Sequence, residues 1–515
     1  MPVERELRFA EGDVELFAVA SGDRNPLHVD PEFAAGTAFG APIVHGSLIV
    51  IAMLGAIPEQ QLSEIRSLRV SFSGALLRDA TASLSASALE REPGAWEMRL
   101  AARGKTLARV LARAAREPLE SASTLSTSPG ERPSAMRTAP AESSVSDLSA
   151  AHTLRCEYAA GPELTELALR LGAGALDPRL LEGLAWASYV VGMEIPGLHS
   201  LFAGLALGAD HGARDDDSSS SSSSGTVVVR EHDERTGQLT IDAALARRSR
   251  GGRALAAIQC FALPGSITPD PAMLRFDRAP ERDRGAVVVA GGSRGFGASV
   301  SLALLALGYE VHVAYATSRR RAAELKHLAG PHAPRLHLTQ ADVSEPGAMR
   351  SLADTVAEAG APLVGLVLNA ALPPLAMGLT PGSATDLADY VAASLRLVTV
   401  PLASLLGAID EQRGWVLFCS SAAIVAPPRD WPHYVTAKGA VEGLAGWVAA
   451  TKPRLRTVIV RPPKMQTAMT GTPSGRIGAE SPDAVALWTV EKLAGGELEP
   501  GLTTLEPGTR AGAAV

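Results

Sequence analysis

Two groups of residues in this 515-residue chain have the types and spacing that proton transfer needs. In Ser21-Gly22-Asp23-Arg24-Asn25-Pro26-Leu27-His28 a carboxylate and an imidazole lie five residues apart, on a turn punctuated by Gly22, Asn25 and Pro26. An acid and a base held together can take a proton from one carbon and deliver another to a leaving hydroxyl, the chemistry of adding or removing water across a C–C bond. The bland alternative is an Asx turn beside a surface histidine. Far downstream, Ser421, Tyr434 and Lys438 stand thirteen and four residues apart. Six tyrosines and six lysines in a chain of this length would give Tyr-x3-Lys by chance in about 0.07 of such chains, before the serine is demanded.

The elements that must hold the first pair are turn, helix and strands. The string Gly22-Asp23-x-Asn25-Pro26-x-His28, preceded by Phe17 and Ser21, resembles the signature of the MaoC-like R-specific enoyl-thioester hydratases and dehydratases, which have the hotdog fold. Ala41-Pro42-Ile43-Val44-His45-Gly46-Ser47-Leu48-Ile49 is similar to the start of that fold's long helix, and Val70-Ser71-Phe72-Ser73-Gly74 to the strand after it. The resemblance implies that Asp23 and His28 act together on the water or hydroxyl. The backbone N–H near Gly46 would hold the thioester oxygen, since helix N-termini expose unpaired donors and a positive dipole end to a developing oxyanion. Segments 67–73, 82–90, 96–103 and 107–114 read as strands between Gly, Pro and Asp breaks, so the hotdog domain is expected over 1–118.

From 119 to 150 the chain is rich in Ser, Thr, Pro, Ala and Glu, the composition of a disordered linker. Residues 151–264 read as a helix at 178–193 followed by strands at 199–207, 225–230, 238–245 and 254–263, again a hotdog plan, without the Gly-Asp-x-Asn-Pro-x-His string. Asp215-Asp216-Asp217 and the serines Ser218 to Ser224 read as a surface loop. By resemblance to double-hotdog hydratases, this non-catalytic half would pair with the first and help form an acyl tunnel. His199, an imidazole with no acidic neighbour, is assigned no role.

At about 284 the pattern changes to strand, helix, strand, helix, the plan of a parallel sheet with helices on both faces. The strand 286–290 runs into Gly291-Gly292-Ser293-Arg294-Gly295-Phe296-Gly297 and a helix. Glycines there let the backbone approach a pyrophosphate at a helix N-terminus. The spacing Gly291-x3-Gly295-x-Gly297 resembles that of the short-chain dehydrogenases/reductases. After the next strand comes Thr317-Ser318-Arg319-Arg320-Arg321, with no acid to grip a ribose 2′-hydroxyl. Arg294 and Arg319 favour a 2′-phosphate and hence NADP(H). The bland reading is a solvated basic helix start.

By the same resemblance Asp342 and Val343 would flank the adenine and Asn369-Ala370-Ala371 matches the family's Asn-Ala-Gly. Ser293 joins the glycine loop, and Thr467 in Arg461-Pro462-Pro463-Lys464-Met465-Gln466-Thr467 would secure the nicotinamide amide. Tyr434 would donate a proton to a carbonyl, Lys438 would lower the tyrosine pKa and hold the nicotinamide ribose, and Ser421 would hydrogen-bond the substrate oxygen. Three positions depart from the family: Ala290 for the usual Thr, Pro463 for Gly, and Ser394 approximately where an active-site Asn belongs. This domain is expected over 284–500, followed by a tail at 501–515.

The chain is therefore expected to be multidomain: an α+β double hotdog, then an α/β Rossmann-like doubly wound parallel sheet. A ketoreductase and a dehydratase working on 3-oxoacyl and 3-hydroxyacyl thioesters belong together, because one makes what the other consumes and fusion raises the local concentration of the intermediate. Two other readings are a hydratase with a degenerate reductase and a non-catalytic thioester-binding scaffold. The thiol is coenzyme A or an acyl carrier protein, and a homodimer or higher homo-oligomer is expected. Net charge is −7 with no basic tract, which argues against nucleic acid or an anionic membrane as partner. Cys156, Cys260 and Cys419 match no zinc or disulfide spacing, so no metal is expected and a reducing compartment is. No apolar run reaches bilayer length and no signal peptide stands out, so the expected location is the cytoplasm. The excess of arginine, 42 against six lysines, reads as genome base composition.

Overall fold

The computed structural model describes residues 3–116, 119–125, 133–142, 148, 152–210, 223–246, 252–265, 267–274, 283–496 and 498–507. They form two compact units: Met1–Ala34 with Ala41–Gly265 and Thr472–Ser474, and Ala35–Gly40 with Ser266–Gly471 and Gly475–Val515.

In the first unit, strands of the first half alternate buried and more exposed residues, as one-sided sheets do, whereas those of the second half run largely buried. They are β1 (Val3–Arg8), β2 (Ser67–Phe72), β3 (Thr81–Ala88), β4 (Ala95–Ala102), β5 (Lys105–Arg113), β6 (Thr153–Tyr158), β7 (Ser200–Asp210), β8 (Ser223–Asp233), β9 (Gln238–Ala246) and β10 (Arg253–Ala262). All ten join one antiparallel sheet in the order β1-β3-β4-β5-β2-β7-β10-β9-β8-β6. Each half runs first, third, fourth, fifth, second, and the halves meet where β2 pairs with β7 from Ser67↔Gly208 to Ser71↔Gly204. The chain thus contains the same hotdog-like plan twice. Each half supplies a helix that is apolar on nearly every side and therefore buried: Gly46–Leu54, buried from Ser47 onward, and Pro178–Tyr189. The second starts cleanly because the Asp177 side chain accepts from Arg179 N and Pro178 occupies the first turn. The two helices pack against each other.

Several expectations need correction. The helix expected at 178–193 is α-helical to Tyr189 and continues as a π-helical turn over Val190–Glu194. The structure adds β1, β6 and the helix Glu163–Arg170 to the elements expected from the sequence. The described part of 119–150 is not a disordered linker. Ala122 and Leu125 pack on Ala244 and Leu255, Glu157 N donates to Ser134 O at 2.8 Å, and Ala141 N donates to Met193 O at 2.8 Å. Backbone pairing plus two small buried side chains is enough to seat a segment whose composition looks solvent-loving. Of the serine run, Ser223 and Ser224 begin β8; Asp215 to Asp217 and Ser218 to Ser222 lie outside the described residues.

The second unit is built on β11 (Ala286–Ala290), β12 (Glu310–Tyr315), β13 (Leu336–Gln340), β14 (Leu363–Leu368), β15 (Trp415–Cys419), β16 (Arg456–Val460) and β17 (Gly501–Leu505). They pair in parallel in the order β13-β12-β11-β14-β15-β16-β17. β17 corrects the tail reading: five residues of it complete the sheet. Apolar runs form the inner strands β11, β14, β15 and β16 because both faces are covered. Val287 and Val289 enter one core, while Ala286, Val288 and Ala290 enter the other. The helix Ala384–Glu411, with its lead-in from Pro381, is long and apolar enough to cross a membrane by length and composition, which a search for unbroken apolar runs does not see. It lies on β14 and between the helices Pro346–Ala359 and Pro432–Thr451.

Candidate functional site

In the first unit the turn after the helix Glu11–Ser21 turns back through Gly22 at φ 74°, a left-handed conformation that favours glycine. Asp23, Asn25 and His45 are then almost fully buried. Asn25 fixes the turn: its Oδ1 accepts from Leu27 N at 3.0 Å, and its Nδ2 donates to Gly192 O at 2.9 Å and Gly197 O at 3.0 Å. The signature asparagine therefore ties the first half of the double hotdog to the second. Asp23 Oδ2 accepts from Ser188 Oγ at 2.6 Å, and Asp23 Oδ1 accepts from Asn25 N at 3.2 Å. Gly192 leaves room for that carboxylate, because a Cβ there would collide with Asp23 Oδ1.

His28 Nδ1–H donates to Ile43 O at 2.8 Å; a carbonyl only accepts, so the neutral ring keeps its lone pair on Nε2. Ligand atoms of Asp23, His28 and His45 lie within 4.8 Å of one another. Burial pushes the Asp23 carboxyl up from its ordinary range, opposed by His28, the Ser188 hydroxyl and Asn25 N–H. Burial pushes His28 down, opposed by Asp23 and Ile43 O. The two affinities for protons move toward each other, which suits a pair that passes one proton back and forth. Both face a pocket lined also by Gly46, Ile49, Phe72, Val191, Gly192 and Phe202. Gly46 is the first residue of its helix, so its N–H has no intrahelical acceptor.

Ser188 and Gly192 were invisible to sequence reading because they sit on the second half's helix, more than 160 residues from Asp23. Ser188 stabilises the ionised carboxylate, so Ser188→Ala should raise the Asp23 pKa further. A hydrogen bond to a charged group contributes roughly 1.5–3 kcal/mol and about 1.4 kcal/mol is one pKa unit. The acid limb of kcat/KM for hydration should therefore move up by about one to two pH units. An unmoved limb would mean that Ser188 only fills space.

In the second unit the loop after β11 needs its glycines. Gly291 has φ 78° and Gly295 φ 51°, and a Cβ on Gly297 would strike Gly291 O and Asn369 Nδ2. Asn369 Nδ2 donates to Gly291 O at 2.8 Å, so this residue holds the loop. The loop opens the helix Gly295–Ala306 beside a cavity of about 550 Å³ lined by Gly291, Ser293, Arg294, Gly295, Thr317, Ser318, Asp342, Val343, Asn369, Tyr434, Lys438 and Thr467, among others. A glycine-walled loop, a helix N-terminus and the switch point between β11 and β14 together fit a dinucleotide.

Three candidate residues are placed differently from expectation. Arg319 does not line the cavity; its guanidinium donates to Gln340 Oε1 at 3.2 Å. Ser421 is also absent from the lining, and its Oγ accepts from Ala423 N at 3.1 Å. Ser420 does line the cavity, but its hydroxyl donates to Glu442 at 2.6 Å. Ser394 does not line the cavity: on its helix Ala393, Arg396 and Leu397 do. Arg294 does line the cavity, half-buried, with its guanidinium donating to Ala35 O. Lys438 Nζ donates to Cys419 O at 2.7 Å and lies 5.7 Å from the centre of the Tyr434 ring, which places the ammonium beside the phenol.

Comparison with known families agrees with this division. Residues 1–107 match the family described as MaoC like domain, and residues 285–475 match the short chain dehydrogenase family. The chain carries an N-terminal enzyme domain of hydratase type, within an antiparallel-sheet hotdog-like unit, and a C-terminal Rossmann-like enzyme domain of short-chain oxidoreductase type.

Among individual relatives, the (R)-specific enoyl-CoA hydratase of Aeromonas caviae is 51% identical over 53 residues, covering 10% of this chain and 40% of that protein. The match thus spans less than half the length of that relative. An alcohol dehydrogenase from the archaeon Thermococcus sibiricus, solved with 5-hydroxy-NADP, is 22% identical at a TM-score of 0.39 and covers 43% of this chain and 95% of its own. A 3-ketoacyl-(acyl-carrier-protein) reductase from Brucella melitensis, solved with NADH, is 17% identical at a TM-score of 0.39 and covers 44% and 97%.

Proposed function

We propose that this protein reduces 3-oxoacyl thioesters with NADPH to (R)-3-hydroxyacyl thioesters and dehydrates these to 2-enoyl thioesters, or runs the hydration in reverse. The observation that carries the reading is the pair of buried Asp23 and half-buried His28 on one pocket with Gly46 in one unit, with Tyr434 and Lys438 on a dinucleotide-sized cavity in the other.

In the first unit the thioester oxygen would take the Gly46 N–H, which strengthens as negative charge develops there. Water would lie between the Asp23 carboxylate and His28 Nε2; His28 accepts its proton as the C–O bond forms, and the α-carbon is protonated from the same pair. In the second unit a bound nicotinamide dinucleotide would supply hydride chemistry. The chain's part is to place the ketone and protonate it: the Tyr434 hydroxyl gives its proton to the carbonyl oxygen, and the Lys438 ammonium favours the phenolate left behind. Asp342 and Val343 would flank the adenine, and Thr467 would meet the nicotinamide end. Acyl-thioester substrates carried on coenzyme A or an acyl carrier protein both suit this chemistry, and a cytoplasmic homo-oligomer remains our expectation.

The preference for NADPH rests on charge. No acid stands in the stretch 317–321 after β12, Thr317 and Ser318 line the cavity, and burial, then the neighbouring Arg321, disfavours the charged Arg294 guanidinium; a phosphate there would stabilise that charge, although Arg321 itself is already paired with Glu324 at 2.8 Å. Incubation with a short 3-oxoacyl thioester should give hydroxy and enoyl products with NADPH at least about tenfold more efficiently than with NADH. An NADH preference would remove the role given to these groups. One observation favours a slower reductase: Ala393 faces the cavity where the family keeps a polar residue. Binding of NADPH without reduction would establish that second reading.

A further inference from the structure

We infer that His45 is a positioning residue that locks the Asp23–His28 pair in register with the Gly46 N–H; the inference rests on the hydratase reading of this site. The turn and the helix start are joined by two crossed hydrogen bonds. His28 Nδ1–H donates to Ile43 O at 2.8 Å, and His45 Nε2 lies 3.1 Å from Asp23 O. Since a carbonyl can only accept, His45 carries its proton on Nε2. Each segment thus contributes one imidazole donor and one carbonyl to the other. The rings are themselves stacked, with centroids 3.7 Å apart and planes at 25°, and Phe17 packs against His45 from another side at 4.9 Å.

His45 is also where the proton-transfer pair meets the oxyanion donor. It is the N-cap residue, its carbonyl accepts the first helical bond from Ile49 N at 3.1 Å, and Gly46 follows it directly. A shift of the ring would move the base, the carboxylate turn and the N–H relative to one another. Catalysis is sensitive to displacements of this size, because about 1 Å of misplacement can cost 100-fold in rate. His45 Nδ1 is buried without a hydrogen-bond partner among the described residues, a cost to stability that a residue selected only for packing need not carry. Burial and the neighbouring His28 hold His45 far below the usual imidazole range. It therefore stays neutral while the stacked His28 gains a proton, since two imidazoles in such contact disfavour carrying charge together.

The test compares His45→Gln with His45→Asn in the full-length protein, measuring kcat and KM for hydration of a short 2-enoyl coenzyme A thioester. A glutamine amide reaches about as far as Nε2 and can donate to Asp23 O; an asparagine amide stops short. His45→Gln should stay within about fivefold of wild type in kcat, while His45→Asn should lose about 30-fold or more with KM changed less than twofold. Equal kcat in both variants and wild type would overturn the inference, as would a rise in KM alone. If both variants lose activity alike, His45→Phe, which keeps the ring but not the donor, decides the matter: recovery by Phe would overturn the hydrogen-bonded register. A wild-type protein inactive in the same assay overturns the hydratase reading, and the inference falls with it.

Discussion

Asp23→Asn and His28→Ala should each lower interconversion of enoyl and hydroxyacyl thioesters by about 10³-fold or more, with NADPH-dependent reduction unchanged. Positioned acid–base groups typically contribute 10² to 10⁴-fold, and here neither has a substitute among the described pocket residues. Asn at 23 keeps the shape and can still accept from Ser188 Oγ, so the buried turn should persist while the proton acceptor is lost. His28→Ala removes Nε2 and leaves Ile43 O without its donor. Measuring both half-reactions on each variant separates loss of chemistry from loss of fold. Near-normal hydration by either variant would show that the pair had been wrongly assigned.

Tyr434→Phe should lower reduction of a 3-oxoacyl thioester by about 10³-fold while leaving NADPH affinity and hydration unchanged. The ring is buried, packs edge-on against Trp431 at 5.6 Å and carries Lys438 Nζ beside it. Phe preserves those contacts and deletes only the hydroxyl. A fluorescence titration of NADPH alongside turnover distinguishes a missing proton donor from a damaged cavity. Persistent reduction would move the proton-donor role to another group, and Tyr390 of the helix Ala384–Glu411, whose hydroxyl donates to Leu372 O at 3.0 Å, would be the next to replace.

What could be read from the chain depended on whether the determining residues were contiguous. The turn from Gly22 to His28 was legible because its glycine, capping asparagine, proline and both reactive groups occupy one short string. Asn25 was legible as a turn residue but not as the tie to Gly192 and Gly197, since those carbonyls come from the other half of the sheet. Ser188 carries no sequence signal at all: a serine in an apolar helix becomes informative only when folding aims it at Asp23. The second hotdog was recoverable from its helix and four strands, yet β6 was hidden behind a segment whose composition suggested a linker. In the parallel-sheet unit the glycine loop and the Tyr434/Lys438 spacing were plain. Ser394 and Ala393 differ by one residue, but each helical residue turns about 100°, enough to swap a cavity-lining position for one that does not line it. β17 was missed because Gly501–Leu505 shows alternating exposure on a sheet edge rather than the buried run of its neighbours.

That the two domains act in sequence on one intermediate is tested most directly by chiral analysis of the alcohol that the His28→Ala variant makes from a 3-oxoacyl thioester and NADPH. With dehydration blocked the hydroxyacyl thioester should accumulate, and it should be predominantly the R isomer. Accumulation of mainly the S isomer would contradict a relay between the two sites.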